Sequence, residues 1–105
     1  MISKTPKPPY YAVIFTSVAS EEAKGYSEMA EKMIKLAENQ TGFLGIESAR
    51  EAIGITVSYW ESIEAIRKWK QNTEHLFAQK LGKDKWYHSY KTRICLVERD
   101  YEFDR

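Results

Sequence analysis

The alternation of apolar and polar positions divides the chain into strand-like and helix-like stretches. Tyr10 to Val18 is apolar on both alternations, with Tyr11, Val13 and Phe15 on one side and Tyr10, Ala12, Ile14 and Val18 on the other. A strand that is apolar on both sides is covered on both sides. From Tyr26 to Gln40 the period changes. Tyr26, Met29, Ala30, Met33, Leu36 and Ala37 recur at helical spacing, opposite Glu28, Glu31, Lys32, Lys35 and Glu38. Glu21 and Glu22 lie before this helix, at the end that favours negative charge. Gly25 marks its start, and Gly42 suits the left-handed residue that ends it. Phe43 to Ala49 reads as a short strand, and Arg50-Glu51-Ala52 is short enough for a hairpin. The cleanest alternation follows in Ile53 to Trp60: Ile53, Ile55, Val57 and Tyr59 share one face, and Gly54, Thr56, Ser58 and Trp60 the other. Ser62 is suited to cap a helix through Lys70, buried by Ile63, Ile66 and Trp69. Asn72 or Thr73 can cap a second short helix with Leu76, Phe77 and Leu81 on its apolar side, ending at Gly82. Lys83 to Ser89 connects to a last strand, Tyr90 to Tyr101.

The predicted order is β-α-β-β-α-α-β, an α+β arrangement. Its natural form is a four-stranded antiparallel sheet with helices on one face, in the ferredoxin-like manner. The first and last strands carry apolar residues on both alternations, so the face without helices should also be buried. Pairing it with the same face of a second copy is the economical solution, which predicts a homodimer. Residues 1–9 hold all three prolines and form a stiff extended arm, ordered only if something holds it, ahead of a single domain over residues 10–105.

Composition narrows the function. Sixteen Lys plus Arg against fifteen Asp plus Glu leave a net charge of +1, a poor match to nucleic acid or an anionic membrane surface. The lone Cys95 excludes an internal disulfide and a cysteine-based zinc cluster, and fits a reducing compartment. The longest apolar run falls far short of a membrane helix, and the first residues lack the apolar core of a signal peptide. A cytoplasmic protein is expected. RNA binding on the sheet would need basic and aromatic residues on the central strand, and Ile53 to Ser58 offers no stacking rings. Zinc-protease, phosphate-loop, dinucleotide and nucleophile-elbow motifs are absent, and His75 and His88 do not make a metal site by spacing.

Two segments carry a family likeness. Thr41-Gly42-Phe43-Leu44-Gly45-Ile46-Glu47-Ser48, together with Ser58-Tyr59-Trp60-Glu61-Ser62 followed by Ala65, Trp69 and His75, resemble the antibiotic biosynthesis monooxygenase (ABM) family. The likeness in element order spans residues 10 to 101. It implies a dimeric α+β barrel with a cavity in each subunit between sheet and helices. Several members oxidise aromatic polyketides with molecular oxygen and neither metal nor flavin, and others bind and degrade haem. Trp60 and Trp69 match two tryptophans of the haem-degrading branch. However, Gln79 stands where that branch has its iron-ligating histidine, and the first strand lacks its asparagine. His75 lies one helical turn before Gln79. The departure argues against haem.

Oxygenation without a cofactor needs an electron-rich substrate, a group to deprotonate it and a dry cavity. The candidates are His75 as base, Trp60, Trp69, Trp86 and Tyr87 as walls, and Thr56, Ser58 and Gln79 as polar contacts to a small hydrophobic or aromatic ligand. Each also has a plain structural reading: Trp60 and Trp69 as core, His75 as a surface or capping residue, His88 as a loop residue or dimer contact, Cys95 as buried and inert. Two functions are therefore expected in competition: a cofactor-independent monooxygenase acting on a small aromatic or quinol-type molecule, and a non-catalytic dimeric module that binds such a ligand. The aromatic residues fall into two groups. Tyr10, Tyr11 and Phe15 point to the dimer interior, and Trp60, Trp69, Phe77, Trp86 and Tyr87 to the cavity.

Overall fold

The computed structural model describes residues 1–21, 26–79 and 86–105, without the side chains of Tyr26, Ser27, Met29 and residues 75–79. Glu22, Gly25, Leu81, Gly82 and Lys83 lie outside the described residues, as do the side chains of His75, Leu76, Phe77 and Gln79. The elements are β1 (Tyr10–Ala19), α1 (Tyr26–Glu38), β2 (Phe43–Arg50), β3 (Gly54–Trp60), α2 (Ile63–Gln79) and β4 (Tyr87–Val97). They form one antiparallel sheet in the order β2-β3-β1-β4, the ferredoxin-like arrangement.

Three local expectations are corrected. α2 is one continuous helix where the spacing of caps predicts two. Its sequence holds no Gly or Pro, and Thr73, read as a cap, turns its hydroxyl onto the Lys70 carbonyl at 2.8 Å. A hydroxyl satisfied in this way sits inside a helix without breaking it. Asn72 reaches from α2 to Gln40 at 3.1 Å. β4 begins at Tyr87 rather than Tyr90 and stops at Val97, because Val97 pairs with Tyr10, the first residue of β1. The expected cap at Ser62 is present, its hydroxyl accepting the Ala65 N–H at 3.1 Å. Gly42 is left-handed as expected, with a φ of +88°, but α1 already ends at Glu38, so Gly42 shapes the turn into β2 rather than the helix end.

The core lies between the sheet and the helices. Val13, Ala37, Trp60, Ala65 and Ile66 form it, with Tyr11, Phe43, Ile63 and Trp69 packed around them. Trp60 is fully buried, with Phe43 edge-on at 5.5 Å and Trp69 tilted over it at 5.1 Å. Cross-strand pairing puts Trp60, Ser58, Thr56 and Gly54 of β3 beneath the helices, level with Tyr11, Val13, Phe15 and Ser17 of β1. Tyr11 and Phe15 thus face the helices of their own chain, not a dimer interior. The apolar alternation of β3 turns the other way, where Ile53 is 53% and Ile55 45% exposed.

Part of that second face is covered by the chain's own ends. The Ser3 N–H donates to Glu47 at 2.8 Å and its hydroxyl to the Ile46 carbonyl at 3.1 Å, so the arm lies along β2. Tyr59 donates to the same Glu47 carboxylate at 2.6 Å. Tyr10 donates to Asp100 and accepts from Thr5, which buries its ring edge-on to Tyr59 at 5.9 Å. Something does hold the arm: a carboxylate on β2 and a tyrosine on β1. Burial, and then the bond to Glu47, push the Tyr59 phenol up from 10.0 to about 12. In this window the unfolded chain has lost a proton that the fold retains, so stability should fall as pH rises from 10 to about 12. Alkaline unfolding of Tyr59→Phe should show a shallower slope over that range. An unchanged slope would remove Tyr59 as its cause, leaving Tyr10, whose phenol is also raised by burial.

Candidate functional site

Gly54, Thr56 and Ser58 are small, and they sit where a helix-facing strand ordinarily carries large apolar side chains. Above Gly54 and Thr56 this leaves a cavity of about 690 Å³ between sheet and helices. This lies within the usual size range of small-molecule sites. Its floor is built in cross-strand rows. Ser48, Thr56, Phe15 and Thr92 form one row, and Ile46, Val13 and Ile94 line the cavity from the row beside it. The roof comes from Ala30, Met33 and Ile34 of α1 and from Ile66, Trp69, Lys70, Thr73 and Glu74 of α2, at helical spacing. One wall is a cluster of rings in which Phe15 lies 5.3 Å from Tyr87 and 5.4 Å from Tyr90.

Among the sequence candidates, Thr56, Trp69 and Tyr87 line this cavity. Trp60 and Ser58 lie beneath it, in the core, where the indole N–H donates to the Ser58 hydroxyl at 2.8 Å. That bond uses the Ser58 hydroxyl internally. Trp86 is buried outside the lining, its carbonyl accepting the Ser20 N–H at 3.0 Å. His75 and Gln79 belong to α2, and their side chains lie outside the described residues. His88 is exposed on β4, and Cys95 is half-buried opposite Ala12 on the face away from the helices. No group of three or more potential metal ligands occurs among the described residues. Likewise, no described helix is long and apolar enough to cross a membrane.

Arg50, Ser48 and Thr92 also line the cavity, and the residue patterns alone did not single them out. The residue pattern puts Arg50 in a turn. It is instead the last residue of β2, paired with Gly54, and its guanidinium lies over that glycine. From there Nη2 donates to the Ser17 hydroxyl at 2.5 Å, across β3 to β1. An arginine four residues before a strand glycine, with a hairpin between them, was the available signal. It becomes readable only once the register is known.

Trp69 lines the cavity while its own Nε1 is enclosed with no hydrogen-bond partner, and Trp86 Nε1 is also unpaired. An enclosed unpaired donor costs on the order of 1–3 kcal/mol. Neither indole is placed by hydrogen bonding, and Trp69 packs tilted against Trp60 at 5.1 Å.

The fold recurs in solved structures. PA3566 from Pseudomonas aeruginosa superposes with a TM-score of 0.68 at 17% identity, over 91% of this chain and 99% of that one. SnoaB, a cofactor-independent oxygenase from Streptomyces nogalater, gives 0.66 at 9% identity, over 93% and 100%. At such identities the likeness is one of fold. In sequence, the uncharacterized Bacillus subtilis protein YqjZ is 56% identical over 104 residues, 97% of this chain and 91% of YqjZ. The sequence profile described as antibiotic biosynthesis monooxygenase matches residues 9–81, which run from the first strand through both helices that enclose the cavity. Cavity, sheet order and sequence agree: the chain belongs to the antibiotic biosynthesis monooxygenase family.

Proposed function

We propose that the protein is a monooxygenase that oxidises a small aromatic or quinol-type molecule with O2 inside this cavity, without a metal or organic cofactor. The observation that carries the proposal is the cavity itself: about 690 Å³ with apolar and aromatic walls and a floor that includes the Ser48 and Thr56 hydroxyls. An electron-rich ring fits such walls, and two hydroxyls suffice to orient its oxygens.

The reaction balances without an added reductant. Loss of a phenolic proton makes the ring carbon electron-rich, and that carbon forms a bond to one oxygen of O2. The O–O bond then breaks as the ring hydrogen leaves as a proton, and the second oxygen departs as water. A hydroquinone and O2 become a hydroxyquinone and water, with all electrons supplied by the substrate. His75 of α2 is the proposed proton acceptor, next in sequence to Glu74 on the cavity roof.

The exposed Ile53 and Ile55, on the sheet face away from the helices, support a homodimer as the working unit. Light scattering should then give about twice 12.3 kDa. Oxygen uptake with a panel of hydroquinones should exceed autoxidation, and His75→Ala should lower it at least tenfold, an ordinary loss for a proton-transfer residue. Equal rates in the two proteins remove His75 from the mechanism. Saturable ligand binding with no uptake would instead identify a non-catalytic ligand-binding module.

A further inference from the structure

Three hydroxyls lie in one row across the cavity floor. Ser48 of β2 pairs with Thr56 of β3, Thr56 with Phe15 of β1, and Phe15 with Thr92 of β4, and all four residues line the cavity. On the same face of the sheet, two other hydroxyls are used internally: Ser17 accepts from Arg50, and Ser58 accepts from Trp60. By contrast, the hydroxyls of Ser48, Thr56 and Thr92 make no hydrogen bond to any described residue. Thr56 is half-buried, and Ser48 and Thr92 are exposed on the two edge strands. Adjacent strands lie about 4.8 Å apart, so Ser48 and Thr56 form one polar end, and Thr92 forms a second about 10 Å from Thr56. Between the two ends the floor is the ring of Phe15, and the row alongside meets the cavity only through Ile46, Val13 and Ile94.

We propose that this row sets the orientation and the length of the ligand, and that Thr92 is the residue that selects ring systems oxygenated at both ends. The ligand lies across the strands with its rings above Phe15. One oxygen meets the Ser48 and Thr56 hydroxyls, which together offer a donor and an acceptor. The opposite oxygen meets Thr92. Because the rings ride above Phe15, the hydrogen bonds rise from the floor instead of running along it. Nearly the full separation is then left to the ligand, which suits two fused rings rather than one. The proposal rests on the cavity being an aromatic-ligand site, and adds to it the direction in which the ligand lies and the place of its second oxygen.

Calorimetric binding of 2,6-dihydroxynaphthalene and of 2-naphthol, both under argon so that no oxidation intervenes, tests this directly. The two probes share one ring system and differ in the far hydroxyl alone. The native protein should bind the diol about fivefold more tightly, the gain of one neutral hydrogen bond added to the roughly twofold that two equivalent orientations give. Thr92→Val keeps the shape of the side chain and removes its hydroxyl, so it should weaken the diol alone and leave only that twofold. Thr92→Ser restores a hydroxyl and should restore most of the preference. Thr56→Val acts at the shared end and should weaken both probes. Circular dichroism and thermal melts of each variant establish that the fold is kept, as expected for valine in a strand. A preference of about twofold or less in the native protein, or an equal loss of both probes in Thr92→Val, overturns the role of Thr92 and leaves the aromatic site standing. Failure of both probes to bind at millimolar concentration overturns the aromatic site, and the role of Thr92 with it.

Discussion

Trp60→Ala should lose about 3–5 kcal/mol of folding stability, the usual range for removing a large buried aromatic side chain. Trp60 is fully buried, and it links three elements at once: Phe43 of β2 edge-on, Trp69 of α2 stacked, and Tyr11 of β1 directly across the ladder. Truncation empties the centre of that contact and leaves the Ser58 hydroxyl, buried at 2% exposure, without its indole partner. A domain of this size holds only about 5–15 kcal/mol in total. The melting temperature should therefore fall by on the order of 20 °C. Urea unfolding followed by circular dichroism gives the free energy directly. Trp60→Phe separates the contributions, since it retains an apolar ring and loses only the donor and some volume; about 1–2 kcal/mol is expected. A loss under 1 kcal/mol for the alanine variant would mean that Trp60 does not organise the core. Because Trp69 rests on Trp60, the alanine variant should also lose turnover through a displaced cavity wall.

Gly42→Ala is the second large effect, although it adds a single methyl. The backbone there is left-handed, with φ at +88°, which disfavours any side chain by about 1–2 kcal/mol. In addition, the new Cβ would lie 2.7 Å from the Cβ of Ala65. Ala65 cannot yield by rotating, so α2 itself must move away from the sheet. Gly42 also ties these elements together, its carbonyl accepting the Glu61 N–H at 2.8 Å just before α2 begins. The combined loss should be about 2–4 kcal/mol. Gly45→Ala is the informative comparison. Its Cβ would meet Ser3 at the same 2.7 Å, but the backbone at Gly45 is not left-handed and the contact is with the arm, held by two hydrogen bonds, rather than with a helix. Under 1 kcal/mol is expected there, with loosening of the arm visible as faster proteolysis near residue 3. Equal losses at the two glycines would show that the approach to Ala65 is not what constrains Gly42.

These two positions also show how the site is made. Gly42 and Trp60 set the height and angle of α2, and the small Gly54 and Thr56 set the depth beneath it. Thr56, Trp69 and Tyr87 reach the cavity because the rows of β1, β3 and β4 are in register there. Ser58 and Trp60 share that face of β3 with Thr56, yet they satisfy each other below the cavity floor. Alternation in the sequence assigns all three to one face but cannot say where along the strand the helices come close enough to fill the space.

The sequence by itself determined the order and type of the strands and the first helix, the cap at Ser62, the left-handed Gly42 and the family likeness. Each of these follows from period, cap chemistry or local backbone freedom, which act over a few residues. Only the tertiary structure decided which face of each strand the helices cover. Sequence alone would place Tyr11 and Phe15 in a subunit interface, whereas the packed sheet turns them toward the chain's own helices and leaves Ile53 and Ile55 outside. It likewise decided that α2 runs unbroken past Thr73, that Glu47 clasps the proline arm, and that Arg50 crosses an empty glycine to reach Ser17. Those outcomes depend on register between strands distant in the chain. A pattern of period two is the same for either face, so only the packing of the remaining elements chooses between them.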